Sequence, residues 1–154
     1  MVITFRYDMP IKDTMDFELV FEPELRMGIE DKIDLLQSCA VAWLFVDGEL
    51  AGEIYGAGHT DFDEEIPDVD HSDDTAVYLY SAAILPKFEG KGLSKIMMAH
   101  WLGLVADQYE VVTAHCTHEA MTAICKGFGA EFFGTHHNWF DSGREATFCK
   151  IYLS

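Results

Sequence analysis

Basic residues are scarce in this sequence: 10 lysines and arginines stand against 27 aspartates and glutamates, which gives a formal net charge of -17. A chain this acidic repels phosphate backbones, so we expect no nucleic-acid partner. The surplus of carboxylates leaves two main explanations open. It keeps the protein soluble, or it attracts a cationic substrate or partner; imitation of a polyanion is a third and rarer case.

Long apolar stretches are also missing, because no run reaches the roughly 18 residues needed to cross a bilayer. The first residues, Met1 to Asp8, have neither a basic start nor an apolar signal core. We therefore expect no membrane partner and a cytoplasmic location. The 154 residues are 49% hydrophobic, enough for one packed core, so we predict a single domain over residues 1–154.

The sequence has few cysteines, and the four at positions 39, 116, 125 and 149 form no Cys-x-x-Cys pair. Each lies in an apolar or strand-like stretch. This pattern favours small buried thiols in a reducing compartment over a disulfide framework.

Residues 59–75 differ sharply from their surroundings, because eight of these seventeen residues are carboxylates. The aspartates and histidines do not match the spacing of a calcium loop, which needs a fixed glycine. We therefore expect a solvated acidic surface loop and no metal ion.

The periodicity of the apolar residues predicts the order of helices and strands. Alternation indicates strands, and spacings of three or four indicate helices. The predicted strands cover Ile3 to Tyr7 and residues 15–21, 40–46, 50–57, 76–85, 109–114, 131–140 and 145–153. The predicted helices cover residues 25–37, 94–107 and about 118–127. This order predicts an α/β (α+β) fold: a mixed, mostly antiparallel sheet flanked by helices, with one central strand–loop–helix–strand crossover.

The turn between the strand at 76–85 and the helix at 94–107 has the features of an anion site. Gly90 and Gly92 let the backbone approach a phosphate closely. The first turn of the helix offers unpaired N–H groups and the positive end of its dipole, and Lys91 and Lys95 add charge. The same features also suit an ordinary strand-to-helix turn.

The segment Leu85-Pro86-Lys87-Phe88-Glu89-Gly90-Lys91-Gly92-Leu93-Ser94 resembles the pyrophosphate loop of the GNAT superfamily of acyl-CoA-dependent N-acyltransferases. That loop runs Gln/Arg-x-x-Gly-x-Gly/Ala. The Asp47-Gly48 hairpin resembles the paired strands of that family before the acceptor site. The stretch from His118 to Ala130 resembles its last helix, so the likeness covers roughly residues 40–153.

This resemblance implies a GNAT-like N-acetyltransferase that uses acetyl-CoA as cosubstrate. It implies a cofactor cleft between the strand ending near Leu85 and the strand ending near Ala114, with direct attack of a neutral primary amine on the thioester. The residues that it assigns to the cofactor are Ile84, Leu85, Glu89, Gly90, Lys91, Gly92, Leu93, Ser94 and Lys95.

The sequence departs from the family pattern at several positions. Glu89 stands where the family has Gln or Arg, and Ser94 stands where Gly or Ala is usual. His118 and Cys125 replace the Asn near the start of the last helix and the Tyr that often serves as general acid. The cofactor residues are therefore better supported than the catalytic ones.

Four residues are predicted to be catalytic. Glu53 is the carboxylate that best suits a general base, and Tyr78 lies near the position of a basic glutamate in some family members, as a hydrogen-bonding group. Cys125 can replace the missing Tyr as acid, and His118 can reach the cofactor or a proton. Each also has a structural explanation as a strand, core or helix-start residue. Weaker candidates are His115 at a strand end and His136, His137 and Trp139 beside the acceptor pocket.

Two functions follow from these observations. The first is transfer of an acetyl group to a cationic amine, such as a polyamine, an amino sugar or a protein lysine, with residues 59–75 at the acceptor entrance. The alternative is a catalytically weak, acidic GNAT-like binding protein that occupies a basic site on a partner protein. A homodimer through the first strand or the final hairpin stays open.

Overall fold

A computed structural model describes residues 1–153 of the chain, so the last residue of the predicted 1–154 domain, Ser154, lies outside the described part. Its centre is a seven-stranded sheet in the order β1-β2-β3-β4-β5-β7-β6. The strands are β1 (Ile3–Arg6), β2 (Ala40–Val46), β3 (Glu49–Gly58), β4 (Ala76–Ile84), β5 (Val111–Cys116), β6 (Glu131–His136) and β7 (Ala146–Tyr152). The helices are α1 (Ile29–Leu36), α2 (Leu93–Val105) and α3 (Glu119–Gly127).

The predicted architecture is confirmed. Neighbouring strands are antiparallel except β4 and β5, which are parallel and are joined through α2. The hairpin between β2 and β3 turns at Asp47 and Gly48, whose φ angles are 49° and 84°. Two consecutive positive φ angles suit the twist of a two-residue hairpin, and Asp-Gly adopts them easily.

The strand predicted over residues 15–21 is wrong, because Ile11–Val20 form a 3-10 helix. Thr14, Phe17 and Glu18 are buried, whereas Leu19 is 66% exposed. Spacings of three and four bring these buried side chains to one face, which packs on the sheet. The alternating apolar residues of this segment are therefore not all buried, and the residues that are buried follow helical spacing instead.

Several predicted boundaries shift by a few residues. The helix predicted over 25–37 divides into a 3-10 turn at Pro23–Leu25 and α1, and the strand predicted over 109–114 is displaced to β5. The strand predicted over 131–140 ends at His136, because Asn138, Phe140 and Asp141 have positive φ angles and form a turn. Such angles are incompatible with an extended strand.

The two faces of the sheet have separate cores. Helices α2 and α3 cover one face, where Leu44, Ile54, Val77, Met97 and Trp101 are among the buried residues. The 3-10 helix and α1 cover part of the other face around Phe17, Leu36 and Trp43. Residues 59–75, here called the acidic segment, cover the rest of this second face through Ile66, which packs with Tyr78 and Trp139.

Alternation along β4 divides its side chains between these cores. Val77 and Leu79 belong to the core under α2, and Tyr78 and Tyr80 lie on the opposite face. The face that bears the tyrosines is therefore the one covered by the acidic segment. None of the helices within residues 1–153 has the length and apolar character that crossing a membrane requires.

Candidate active site

Strands β4 and β5 separate at the centre of the sheet. They pair only from Ala76 to Tyr78 on β4 and from Val111 to Thr113 on β5, although both strands continue further. A backbone that leaves its ladder exposes unpaired N–H and C=O groups. The separation therefore opens a cleft with polar walls where the sheet would otherwise be continuous.

Two adjoining cavities lie at this separation. The larger one, about 570 Å³, is on the face that carries Tyr78 and Tyr80. The smaller one, about 80 Å³, reaches from the two strands to His118 and Met121 at the start of α3. Five residues line both cavities, so the two spaces meet there: Phe21, Tyr80, Ser81, His115 and Thr117.

The loop after β4 reaches α2 through left-handed backbone. Gly90 and Gly92 have φ angles of 78° and 73°, which favour glycine, and no side chain caps the helix at Gly92. The N–H groups of the first turn, from Leu93 to Lys95, therefore have no intrahelical partner and no side-chain cap. This turn is where the sequence predicts an anion site over residues 90–95, and binding of an anion there stays a prediction.

The side chains of this loop differ in exposure. Glu89, Lys91 and Lys95 are exposed, and Ser94 is half-buried. Leu93 is buried in the core under α2. A ligand at this turn would therefore meet Leu93 through its backbone alone, and the exposed Glu89 carboxylate is free to turn toward solvent.

Ile84 and Leu85, two of the predicted cofactor residues, are not equivalent. The N–H group of Leu85 donates to the carbonyl oxygen of Ala51 at 2.8 Å, and its carbonyl accepts from the N–H group of Phe88 at 2.9 Å. The first bond occupies the N–H group of Leu85 on the side of β3, and the second occupies its carbonyl oxygen in the 3-10 turn that follows. Because backbone groups alternate along a strand, those of Ile84 point toward the cleft.

Of the four predicted catalytic residues, Tyr78 and His118 line the cavities. Tyr78 lies in the larger one, and its hydroxyl is 2.8 Å from Nδ1 of His115. Burial raises the pKa of Tyr78 well above its ordinary value, so the phenol stays protonated. His118 precedes the first turn of α3 and is half-buried beside the smaller cavity.

Glu53 lies in an enclosed ion-pair cluster. Its side chain is 0% exposed, with Oε1 2.7 Å from Nζ of Lys32 and Oε2 2.9 Å from the indole nitrogen of Trp43. Burial raises the pKa of Glu53, against Lys32 and Trp43, which lower it. Both oxygens already accept hydrogen bonds, and Glu53 lines neither cavity, so a role as base stays a prediction that this location does not favour.

Cys125 packs in the core under α3 with two other thiols. Its Sγ is 3.7 Å from Sγ of Cys116, which is 3.9 Å from Sγ of Cys149. All four cysteines carry free thiols, and only Cys39 is not fully buried. Cys125 lines neither cavity, so the structure does not bring it together with Tyr78 and His118, and its role as acid also stays a prediction.

Sequence reasoning missed most of the polar side chains that surround the larger cavity. The hydroxyls of Tyr55 and Ser81 are buried and find no hydrogen-bond partner within residues 1–153. These two residues face each other across β3 and β4, and both line the larger cavity. Tyr80, which borders both cavities, donates to Oε2 of Glu64 at 3.3 Å. Long-range pairings such as these leave no signal in local periodicity.

His115 was predicted only as a weak candidate, yet it is central to the site. Its ring stacks on Trp139 at 4.3 Å and lies in the wall of both cavities. Burial lowers the pKa of His115, and Asp68, whose carboxylate is 3.0 Å from Nε2, opposes this shift. Of the other weak candidates, His137 is exposed and pairs with Glu145.

Carboxylates surround the larger cavity. Its walls include one basic side chain, Arg26, and five acidic residues: Glu18, Glu24, Asp31, Asp34 and Glu64. One oxygen of Glu18 bonds to Lys32 and the other to the N–H group of Met27, so its charge is partly neutralised. The other four leave the cavity with a negative potential, which disfavours an anionic occupant.

Solved structures of acetyltransferases share this fold. The ribosomal-protein-S18-alanine N-acetyltransferase from Escherichia coli superposes with a TM-score of 0.76 at 12% sequence identity, covering 99% of this chain and 95% of that chain. An acetyltransferase from Bacillus subtilis in complex with CoA gives a TM-score of 0.75 at 12% identity, covering 99% and 100%. A GNAT family acetyltransferase from Elizabethkingia anophelis with acetyl-CoA bound gives 0.72 at 13% identity, covering 97% of each chain.

No family model and no curated protein sequence matches this chain. The structural likeness nevertheless extends over 97% or more of this chain and 95% or more of each of these proteins. The fold is that of the GNAT acetyltransferases, as the likeness of residues 85–94 to the pyrophosphate loop implied.

Proposed function

We propose that this protein is an acetyl-CoA-dependent N-acetyltransferase that acts on a cationic primary amine. The observation that carries the proposal is the separation of β4 and β5, with the glycine turn following β4 and an acidic cavity on the face that bears Tyr78 and Tyr80. Structures of the same fold with CoA or acetyl-CoA bound support the choice of cosubstrate.

The glycine turn suits the pyrophosphate of the cosubstrate. Uncapped N–H groups at the start of α2 and the positive end of the helix dipole favour a negative group there. Three of the ten basic residues of the chain lie in the nine-residue stretch from Lys87 to Lys95; Lys87 pairs with Glu49, which leaves Lys91 and Lys95. In a chain of net charge -17, this local concentration of lysines favours an anionic ligand at the turn.

The larger cavity suits the acceptor. Its excess of carboxylates raises the local concentration of a cation, and the unpartnered Tyr55 and Ser81 hydroxyls offer hydrogen bonds to a bound molecule. An unsatisfied buried hydroxyl costs about 1–3 kcal/mol, so a ligand that pairs with these groups gains affinity. The acidic segment contributes Glu64 and Ile66 to the wall, in line with a place at the acceptor entrance.

The meeting point of the two cavities is where an amine would attack the thioester. A neutral amine attacks; the new C–N bond forms as the C–S bond breaks, and CoA leaves as a thiolate that takes a proton from solvent to become the thiol. The attacking nitrogen must lose one proton for the amide to form. We assign this proton to Glu64 through the Tyr80 hydroxyl, because Tyr80 borders both cavities and bonds to that carboxylate. The protonated Tyr78 hydroxyl is the predicted group that orients the acceptor.

Calorimetry with acetyl-CoA tests the cosubstrate. We expect one site, and the double variant Lys91→Gln/Lys95→Gln should weaken binding about tenfold, because two charges next to the turn are lost. Lys12→Gln, which removes an exposed lysine far along the chain, should leave the affinity unchanged. Absence of measurable heat at millimolar acetyl-CoA would refute the cosubstrate assignment.

Release of CoA with a panel of amines tests the reaction. Diamines, amino sugars and lysine peptides should react faster than neutral or anionic acceptors. Glu64→Gln should lower kcat about 10²- to 10⁴-fold, the usual contribution of a general base, with little change in the dissociation constant for acetyl-CoA. The exposed Glu65→Gln is the matched control and should keep kcat. Equal rates for cationic and anionic acceptors would contradict the assignment of the acidic cavity.

A further inference from the structure

Asp68, His115 and His136 come from three different parts of the chain and meet at one point. Oδ2 of Asp68 lies 2.6 Å from Nε2 of His136 and 3.0 Å from Nε2 of His115. All three of these atoms lie within 4.8 Å of one another. Asp68 belongs to the acidic segment, His115 to β5 and His136 to the end of β6, so the cluster joins that segment to the sheet.

His115 is held rigidly in the cluster. Its side chain is 1% exposed, its ring stacks on Trp139, and its Nδ1 bonds to the Tyr78 hydroxyl at 2.8 Å. A hydrogen bond to the second ring nitrogen is the usual way in which a protein orients a metal-binding histidine. The Tyr78 bond thus leaves Nε2 directed at Asp68 and His136.

Asp68 is held by an unusual backbone conformation. Its φ angle of 69° lies in the left-handed region, which non-glycine residues seldom adopt. Such a conformation persists where surrounding contacts maintain it. Here it directs the carboxylate between the two imidazoles.

We propose that Asp68, His115 and His136 form a binding site for a divalent transition-metal ion of the zinc type. Two imidazole nitrogens and one carboxylate oxygen suit zinc, whereas magnesium and calcium prefer oxygen ligands alone. Three protein ligands leave a fourth position for water or a bound molecule, as in metal sites that are open to solvent.

The distances are close to those that such a site needs. Bonds of about 2.0–2.2 Å in tetrahedral geometry place ligand atoms about 3.4 Å apart. The distances of 3.0 and 2.6 Å from Oδ2 of Asp68 to Nε2 of His115 and of His136 must therefore increase by roughly 0.4 and 0.8 Å. The side chains of Asp68 and His136 are 36% and 37% exposed, so they can make this adjustment by rotation while His115 keeps its position.

The ion would have a structural effect. It would cross-link the acidic segment to β5 and β6 beside the larger cavity, whose wall includes His115 and Trp139. Since the folded chain presents the assembled ligands and the unfolded chain does not, binding would stabilise the fold. This effect does not depend on acetyl transfer.

Cobalt(II) serves as a spectroscopic probe, with the full chain first treated with a chelator. We expect one Co²⁺ per chain with visible d–d bands, displacement by Zn²⁺, and a higher Tm when Zn²⁺ is bound. Asp68→Asn and His136→Gln should each weaken Zn²⁺ binding at least tenfold and remove most of the increase in Tm. The adjacent His137→Gln, which changes an exposed histidine outside the cluster, should keep both.

Three outcomes would overturn the site. One is no saturable Zn²⁺ binding at 1:1 stoichiometry, and another is an affinity that is unchanged in both Asp68→Asn and His136→Gln. The third is intense near-ultraviolet thiolate absorption with Co²⁺, which would assign the ion to Cys116, Cys125 and Cys149 instead. Circular dichroism of each variant shows whether a loss of binding reflects a loss of fold.

Discussion

Lys32 is fully buried, which is unusual for a lysine. Its side chain is 0% exposed, and its ammonium group contacts Glu18 at 3.0 Å, Glu53 at 2.7 Å and the carbonyl oxygen of Thr14 at 3.1 Å. These contacts connect α1, the 3-10 helix and β3. The cluster therefore fixes the covering layer to the sheet next to the larger cavity.

Removal of Lys32 should destabilise the fold severely. Lys32→Met leaves Glu18 and Glu53 as buried carboxylates without their partner, which costs about 3–5 kcal/mol in comparable cases. Urea unfolding should give a lower midpoint by a matching amount, whereas the exposed Lys12→Met should change it little. An unchanged midpoint in Lys32→Met would contradict the buried cluster.

His59 should make stability depend on pH. It is buried, with Nε2 2.6 Å from the Thr113 hydroxyl, and burial lowers its pKa below the ordinary value of 6.5. The unfolded chain therefore binds the proton more readily, so the stabilisation from neutral His59 is present above pH 6.5. It is lost as pH falls through the folded pKa, by at most about 1.4 kcal/mol per pH unit.

The variant His59→Gln isolates this effect. Between pH 7.5 and 5.5, the free energy of unfolding should fall less in His59→Gln than in the wild-type chain. The exposed His137→Gln should follow the wild-type curve. Parallel curves for wild type and His59→Gln would show that His59 titrates alike in the folded and unfolded chain.

At the scale of elements, strands β3 and β4 approach each other closely at Gly56, which has no side chain. A Cβ atom at Gly56 would clash with the Tyr78 carbonyl oxygen and lie 2.8 Å from the Trp101 ring. The register between the strands also shifts between Tyr55 and Gly56, which marks a bulge. This close approach sets the position of Tyr78 in the cavity wall.

Two glycine-to-alanine variants should have opposite effects. Gly56→Ala should destabilise the fold by about 1–3 kcal/mol through overpacking against backbone. Gly103→Ala, in α2 with no atom within 4 Å of the added Cβ, should stabilise it by about 0.5–1 kcal/mol. Thermal unfolding measures both, and a neutral Gly56→Ala would refute the close approach of β3 and β4.

The elements themselves were predicted with uneven success. The Asp47-Gly48 hairpin and the strand–loop–helix at 76–107 were found, because turn chemistry and long apolar runs are local signals. Residues 15–21 were misassigned as a strand because contacts with Lys32 and the sheet decide which of their side chains are buried, and those partners leave no local pattern in the sequence. The end of β6 was missed because Asn138 and Phe140 adopt left-handed backbone without glycine.

For the whole molecule, the net charge of -17 should act oppositely on the two proposed substrates. Coenzyme A derivatives are anionic, so the field of the protein opposes them, whereas it attracts a cationic amine. Raising the salt concentration from about 20 to 300 mM screens both effects. KM for the amine should then rise by roughly two- to tenfold, whereas for acetyl-CoA the screening of the net charge and the screening of Lys91 and Lys95 act in opposite directions.

Initial rates at several salt concentrations measure this effect, with an uncharged aromatic amine as the control acceptor. KM for the control should not depend on salt. If KM for a cationic amine also stays constant, the carboxylates serve solubility alone. That was one of the two explanations left open by the composition.

The sequence by itself determined the sheet architecture, the glycine turn at residues 90–92 and the acidic character of the chain. These properties depend on local backbone preferences and on composition, which do not need distant partners. Tertiary structure alone decided which side chains share the cavities. Glu53 and Cys125 pack away from them, and Tyr80, Ser81 and His115 meet where β4 and β5 part. The physical reason is that the burial and pairing of a polar side chain depend on residues far along the chain.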